Sequence, residues 1–144
     1  MSPALWAGLP LHATVVVDTA PFIYMLESNP QFADQFVGLF EAAVAGTLSI
    51  ALSTITLAEV LTGPLKAAQT ALAKRYEKAL SAYTLISVTP SIAALAAQLR
   101  VQYRLKLPDA IQLATALDTG AAAFVTHDRD FSQVHGMNIL MGAP

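Results

Sequence analysis

The chain has 144 residues, of which 55% are hydrophobic and 12% charged, and its formal net charge is −2. That length is one domain able to bury its own core, and that composition excludes a disordered chain. The absence of cysteine excludes disulfides, thiolate metal sites and a cysteine nucleophile, and the slight negative charge excludes a grip on nucleic acid by bulk charge, leaving local patches or bound cations.

Residues 1–12 carry no basic n-region and are interrupted by Pro3, Gly8 and Pro10, which argues against a signal peptide. They read as an N-terminal extension on a single domain spanning 1–144. Thr14 to Asp18 (TVVVD) is a β-branched run, read as a buried strand. Ala20 to about Ser28 reads as a helix stopped by Asn29-Pro30. Gln31 to Ala45 places Phe32, Phe36, Leu39, Phe40 and Val44 at helical spacing, with Gly46 as the stop. Leu48 to Leu52 is a second strand, and Thr54 to Leu61 a helix ending before Gly63-Pro64. A longer helix is expected from Leu65 to about Tyr83, and a third strand from Leu85 to Val88.

Ser91 is read as the cap of a helix running to about Tyr103. Pro108 opens another that ends at Gly120. Ala122 to Thr126 and Met137 to Met141 complete the strands. The longest uncharged run, between Lys78 and Arg100, is nominally long enough for a bilayer. Its Ser and Thr residues and Pro90 divide it into a strand and a helix, both read as buried core of a cytoplasmic protein. Short apolar strands alternating with helices predict an α/β fold: a three-layer α/β/α sandwich around a mostly parallel sheet of four to five strands.

In such sheets, ligands bind beyond the carboxyl ends of the strands. Asp18 ends the first strand, Asp128 and Asp130 follow the fourth, Glu59 lies in the helix after the second, and Asp109 in the first turn of the helix entered through Pro108. These five are half of the ten acids in the chain. Each has an ordinary structural explanation. Asp18 can cap a helix, Thr56-x-x-Glu59 matches a capping box, Asp109 complements a helix dipole, and Asp128 and Asp130 suit a turn. Together these explanations weaken, because one sheet edge would gather several carboxylates. Two carboxylates about 5 Å apart repel by roughly 3 kcal/mol at an effective dielectric of 20. A divalent cation resolves the conflict, and all-oxygen donors suit Mg²⁺ or Mn²⁺ rather than zinc.

At these residues the sequence resembles the PIN-domain family, and within it the VapC-type toxins of toxin–antitoxin pairs. The matching segments are VVVDTAPFIYML, STITLAEVLTGP and LPDAIQLATALDTGAAAFVTHDRDF, which extend from about Thr14 to Phe131. The resemblance implies a metal-dependent endoribonuclease with Asp18, Glu59, Asp109 and Asp128 as its acids, Asp130 as an auxiliary metal ligand and Thr126 as a polar helper. It also implies a cognate antitoxin and a homodimer. Ala20 departs from the family pattern, which often has a small polar residue there. Hydrolysis by an activated water leaves a 5′-phosphate and a 3′-hydroxyl, and Glu59 is read either as a ligand or as the group orienting that water. His12, His127 and His135 show no pairing, and His127 is read as a loop residue.

RNA would be held by rim cations: Arg100, Arg104 and Lys106 in one group, and Lys66, Lys74, Arg75 and Lys78 in another. Either group reads equally well as a solvated helix face. Arg129 is read as a partner for its flanking acids. The apolar set Phe22, Tyr24, Met25, Phe32, Phe36, Leu39 and Phe40 serves either the core or a partner groove. Three rivals remain: a PIN-like module that binds RNA or protein without cutting, a receiver-like Mg²⁺ signalling domain, and a DNA nuclease. The third strand lacks a phosphoacceptor Asp, which disfavours the receiver, and the small chain lacks insertions for threading DNA flaps.

Overall fold

The computed structural model describes residues 5–144. Five strands form one parallel sheet in the order β3-β2-β1-β4-β5. In chain order the elements are β1 (Ala13–Val17), α1 (Thr19–Leu26), α2 (Ala33–Val44), β2 (Leu48–Ser53), α3 (Thr54–Lys66), α4 (Thr70–Leu80), β3 (Thr84–Ile86), α5 (Pro90–Tyr103), α6 (Leu107–Asp118), β4 (Ala123–Thr126) and β5 (Ile139–Met141). This is the expected α/β sandwich around a parallel sheet. The strand order differs from the 2-1-3-4-5 order of receiver-type sheets, which removes that rival.

The central strands β2, β1 and β4 are largely apolar, and most of their residues are buried on both faces. Side chains alternate across a strand, so Val15 and Val17 go to one face and Val16 to the other. The registers Val15↔Ile50 and Val17↔Val125 keep neighbouring strands in phase. One core therefore joins Val15, Val17, Ile50, Leu52 and Val125 to Phe22, Phe36, Leu39 and Phe40 of α1 and α2. The other joins Val16, Ala51 and Phe124 to Ile92, Ala96 and Leu99 of α5 and to Ala110, Leu113 and Ala114 of α6. The small Ala face of α6 lets that helix lie close to the sheet.

Several boundaries differ from the sequence reading. Gly63-Pro64 does not stop α3, which continues to Lys66. Pro64 is buried, and Gly63 before it has no Cβ to meet the proline ring, which eases the passage of the helix through it. The helix instead ends at Ala67 and Ala68, the latter at φ 59°. The following helix consequently begins at Thr70, not Leu65. The cap of α5 is Thr89, whose Oγ1 accepts from the Ile92 N–H at 3.2 Å. Ser91 donates instead to Asp118 Oδ1 at 3.0 Å, tying the start of α5 to the end of α6. Strand β3 pairs only with β2 at the sheet edge, so Leu85 and Val88 are 38% and 37% exposed and not the buried core that their composition suggested.

Candidate active site

The parallel order brings the carboxyl ends of β1 and β4 side by side, and the site grows from these two ends. Asp18 follows β1 directly and caps α1: its Oδ1 accepts from the Thr19 N–H at 2.8 Å. Its Oδ2 accepts from Thr126 Oγ1, the last residue of β4, at 2.7 Å. Thr126 Oγ1 in turn accepts from the Asp128 N–H at 3.0 Å. One buried hydroxyl thus links the first acid to the loop that carries the last two. The capping explanation of Asp18 is correct as geometry, yet each carboxylate oxygen keeps a lone pair free, since one hydrogen bond does not fill it.

Asp109 enters from the first turn of α6. A carboxylate oxygen from each of Asp109, Asp128 and Asp130 falls within 4.8 Å of the others. Asp128 also caps the short 3₁₀ turn Arg129–Phe131, accepting from the Asp130 N–H at 2.8 Å. That bond fixes Asp130 beside Asp128. Asp18 and Glu59 lie outside this triad of oxygens but within its electrostatic reach. Burial pushes the Asp18 carboxyl up to about 6, with the negative charges of Asp109 and Glu59 adding to the rise against the Thr126 and Thr19 hydrogen bonds. Burial likewise pushes Asp109 up to about 6, followed by repulsion from Asp128, Asp130 and Glu59, with Lys106 opposing. The repulsion inferred from the sequence is therefore present in the fold.

Glu59 is not part of a capping box. Helix α3 starts at Thr54 with Ser53 as its cap, so Thr56 and Glu59 lie inside the helix. Thr19 Oγ1 donates to Glu59 Oε1 at 2.7 Å. Behind this bond is a network that sequence reasoning missed. Gln112 Nε2 donates to Thr56 Oγ1 at 2.6 Å and to Thr19 Oγ1 at 3.2 Å, and the two threonine hydroxyls are 3.1 Å apart. With the Thr19 proton committed to Glu59, Thr56 donates to Thr19. The whole chain of donors then points from Gln112 toward the Glu59 carboxylate. Gln112 is 1% exposed, and its Oε1 is the buried side-chain polar atom without a partner among the described residues. The available signal was its place three residues after Asp109, on the same helix face, among the alanines and leucines of α6.

His127 is not a mere loop side chain. Its ring packs edge-on against Tyr24, Phe32 and Phe36. Nδ1 pairs with Tyr24 Oη of α1 at 2.8 Å and Nε2 with the Ala143 carbonyl, so the ring ties α1 to the C-terminal segment. Arg129 does not pair with its flanking acids, as its place between them suggested; its guanidinium donates to the Gly142 carbonyl. The donors left around the acidic triad are carboxylate oxygens. Their number and spacing fit a hard divalent cation.

The PIN domain family matches residues 15–137. A toxin–antitoxin complex from Klebsiella pneumoniae is 34% identical, covers 85% of this chain and 94% of its own, and superposes with a TM-score of 0.67. VapBC2 from Rickettsia felis, bound to a DNA fragment from its promoter, is 18% identical at 90% and 99% coverage with a TM-score of 0.73. VapC20 from Mycobacterium tuberculosis, described as a Sarcin-Ricin loop cleaving toxin, is 18% identical at 82% and 92% coverage with a TM-score of 0.62. No curated protein sequence matches significantly. The family match covers most of the chain and both cores that hold the acids, and the chain belongs to the PIN domain family.

Proposed function

We propose that this protein is a Mg²⁺- or Mn²⁺-dependent endoribonuclease, the VapC-type toxin of a toxin–antitoxin pair acting in the cytoplasm. The observation that carries this reading is the convergence of Asp109, Asp128 and Asp130 oxygens within 4.8 Å, beside a buried Asp18. A stable fold gains nothing from such an arrangement without a cation. A bound divalent ion supplies the positive charge that lets a phosphodiester approach and that stabilises the oxygens gaining charge during hydrolysis.

Asp109, Asp128 and Asp130 would hold that ion, and Asp18 would join them through the lone pairs that Thr19 and Thr126 leave free. Glu59 has its Oε1 fixed by Thr19, which leaves Oε2 to orient an attacking water and take its proton. Removing that proton at neutral pH requires a carboxylate held near the water by geometry, the role that the Gln112–Thr56–Thr19 chain serves. Attack by water leaves a 5′-phosphate and a 3′-hydroxyl on the products.

The antitoxin reading is supported by the Klebsiella neighbour and by an apolar groove of about 430 Å³ lined by Met25, Val37, Phe40, Val44 and Tyr83. Val44 in that groove is 88% exposed, a cost that a partner or a second copy of the chain would remove.

Incubation of the purified protein with total RNA, in Mg²⁺ or in EDTA, followed by mapping of the cut ends, tests the proposal. The expected result is Mg²⁺-dependent cleavage leaving 5′-phosphates. Asp109→Asn should lower the rate by at least about a hundredfold, the scale of losing one group that stabilises transition-state charge, while its melting temperature in EDTA stays the same or rises. Wild-type cleavage by that variant would falsify the site assignment. A protein that binds RNA yet never cuts it would be the non-catalytic module instead.

A further inference from the structure

Next to the acidic triad lies a feature of opposite charge. A cleft of about 330 Å³ opens between the α5–α6 junction and the 3₁₀ turn after β4, lined by Arg104, Lys106, Arg129, Asp130, Ser132 and Gln133 among others. Three of the eight lysines and arginines in a net-negative chain converge here. Asp130 belongs to both features: it lines the cleft and contributes to the triad. The cleft therefore opens directly onto the acids.

The cleft has a fixed frame. Gln133 Nε2 donates to the Tyr103 carbonyl at 2.9 Å, joining one wall to the other. Tyr103 Oη donates to the His135 carbonyl at 3.1 Å, a second tie between the same segments. Arg129 is oriented by its bond to Gly142, which occupies one of five guanidinium donors. Arg104 ends α5 at φ 57° and ψ 37°, in the left-handed region where helices usually place glycine. An arginine there is strained, and its side chain is exposed, so packing does not account for it.

We propose that this cleft is a backbone-phosphate subsite for single-stranded RNA. It receives a phosphate flanking the one at the triad, so that the strand runs from Asp109 and Asp128 past Asp130 onto the α5–α6 junction. The inference rests on the ribonuclease reading and gives it a strand path. Charge divides the work between the two features: the triad accepts phosphate only with a cation, whereas the cleft accepts it directly through Arg104, Lys106 and the free donors of Arg129. Bonds of this kind position a strand without reading its bases, so the cleft adds affinity and not sequence preference.

The test is fluorescence anisotropy of a labelled 12-nucleotide single-stranded RNA with the full chain, in EDTA so that no divalent ion supports cutting, across a salt series. Arg104→Gly and Lys106→Gln should each weaken binding about five- to tenfold at low salt. Each should also reduce the slope of log affinity against log salt by about 0.7, the single-strand value for one phosphate no longer neutralised. The reductions should be equal for an oligo-U and an oligo-A probe. Arg104→Gly should melt no lower than wild type, because glycine relieves the left-handed backbone, and this separates weakened binding from impaired folding.

Wild-type affinity and slope in both variants overturns the subsite, as does a wild type with no measurable affinity at low salt. So does a weakening seen only with Lys74→Ala and Lys78→Ala on α4. Cleavage by wild type in Mg²⁺ is scored in parallel. If wild type cuts while the cleft variants bind normally, the subsite fails and the nuclease reading stands. If wild type does not cut while the cleft variants lose affinity, the nuclease reading fails and the subsite stands.

Discussion

Asp18 and Asp109 each carry a folded-state pKa of about 6 against an ordinary value of 3.8, and burial is the first cause in both. Folded protein then holds these protons more tightly than unfolded protein, so their contribution to stability is greatest below pH 3.8 and declines as pH rises to about 6. For Asp18, only 7% exposed, the penalty at neutral pH is at most about 3 kcal/mol by linkage; half-buried Asp109 adds less because water screens it. A cation bound by the ionised carboxylates removes this penalty and competes with protons. Mg²⁺ should therefore raise the melting temperature of the protein strongly at pH 7.5 and little at pH 5. Differential scanning fluorimetry with Mg²⁺ against EDTA at the two pH values checks this, and an equal shift at both would show that the raised carboxyls do not hold the ion. The acids were legible because carboxylates at strand ends are scarce in so uncharged a sequence. Thr19 and Thr56 were not, and the spacing of Gln112 from Asp109 named no partner for it, because the amide and the two hydroxyls form a network only once three elements meet around them.

Elements were legible wherever hydrophobic period and length agreed, as in β1, α2 and α6. Their ends were misread where two residues competed for one role. Both Thr89 and Ser91 are good caps, and Pro90 decides between them. Proline suits the first helical position, which makes the residue before it the cap and places Ser91 inside the first turn. Thr89→Ala should cost about 1 kcal/mol of stability, the usual effect of removing an N-cap. Ser91→Ala removes a bond that is solvent-exposed and should cost less than about 0.5 kcal/mol. Urea denaturation of the two variants distinguishes them; a larger effect in Ser91→Ala would return the cap to Ser91. The Gly63-Pro64 break failed for another reason. The cost of a helical proline falls on the turn before it, and Gly63, directly before Pro64, has no Cβ to meet the proline ring.

At the scale of the whole molecule, the parallel order explains why residues as distant as Asp18, Glu59, Asp109 and Asp130 share one edge, and that much followed from alternating strands and helices. What the segments carrying the family resemblance did not reach is the chain before β1. The family match begins at residue 15, yet Trp6 and Leu9 pack against the core formed with α1 and α2. Gly38 lies in the interior of α2, where glycine ordinarily costs about 1 kcal/mol relative to alanine. A Cβ built there would stand 2.8 Å from Trp6 Cζ2, closer than such atoms come, so the glycine makes room for the indole ring. Gly38→Ala should consequently destabilise the wild-type chain by about 1–3 kcal/mol through overpacking. In a Trp6→Ala background the same change should stabilise by about 1 kcal/mol, as helix propensity alone dictates. The opposite signs in this double-mutant cycle, measured by urea denaturation, make the N-terminal segment an integral part of the domain. Equal effects of Gly38→Ala in both backgrounds would mean that Trp6 does not sit on α2 in solution, and that the folded unit begins at β1.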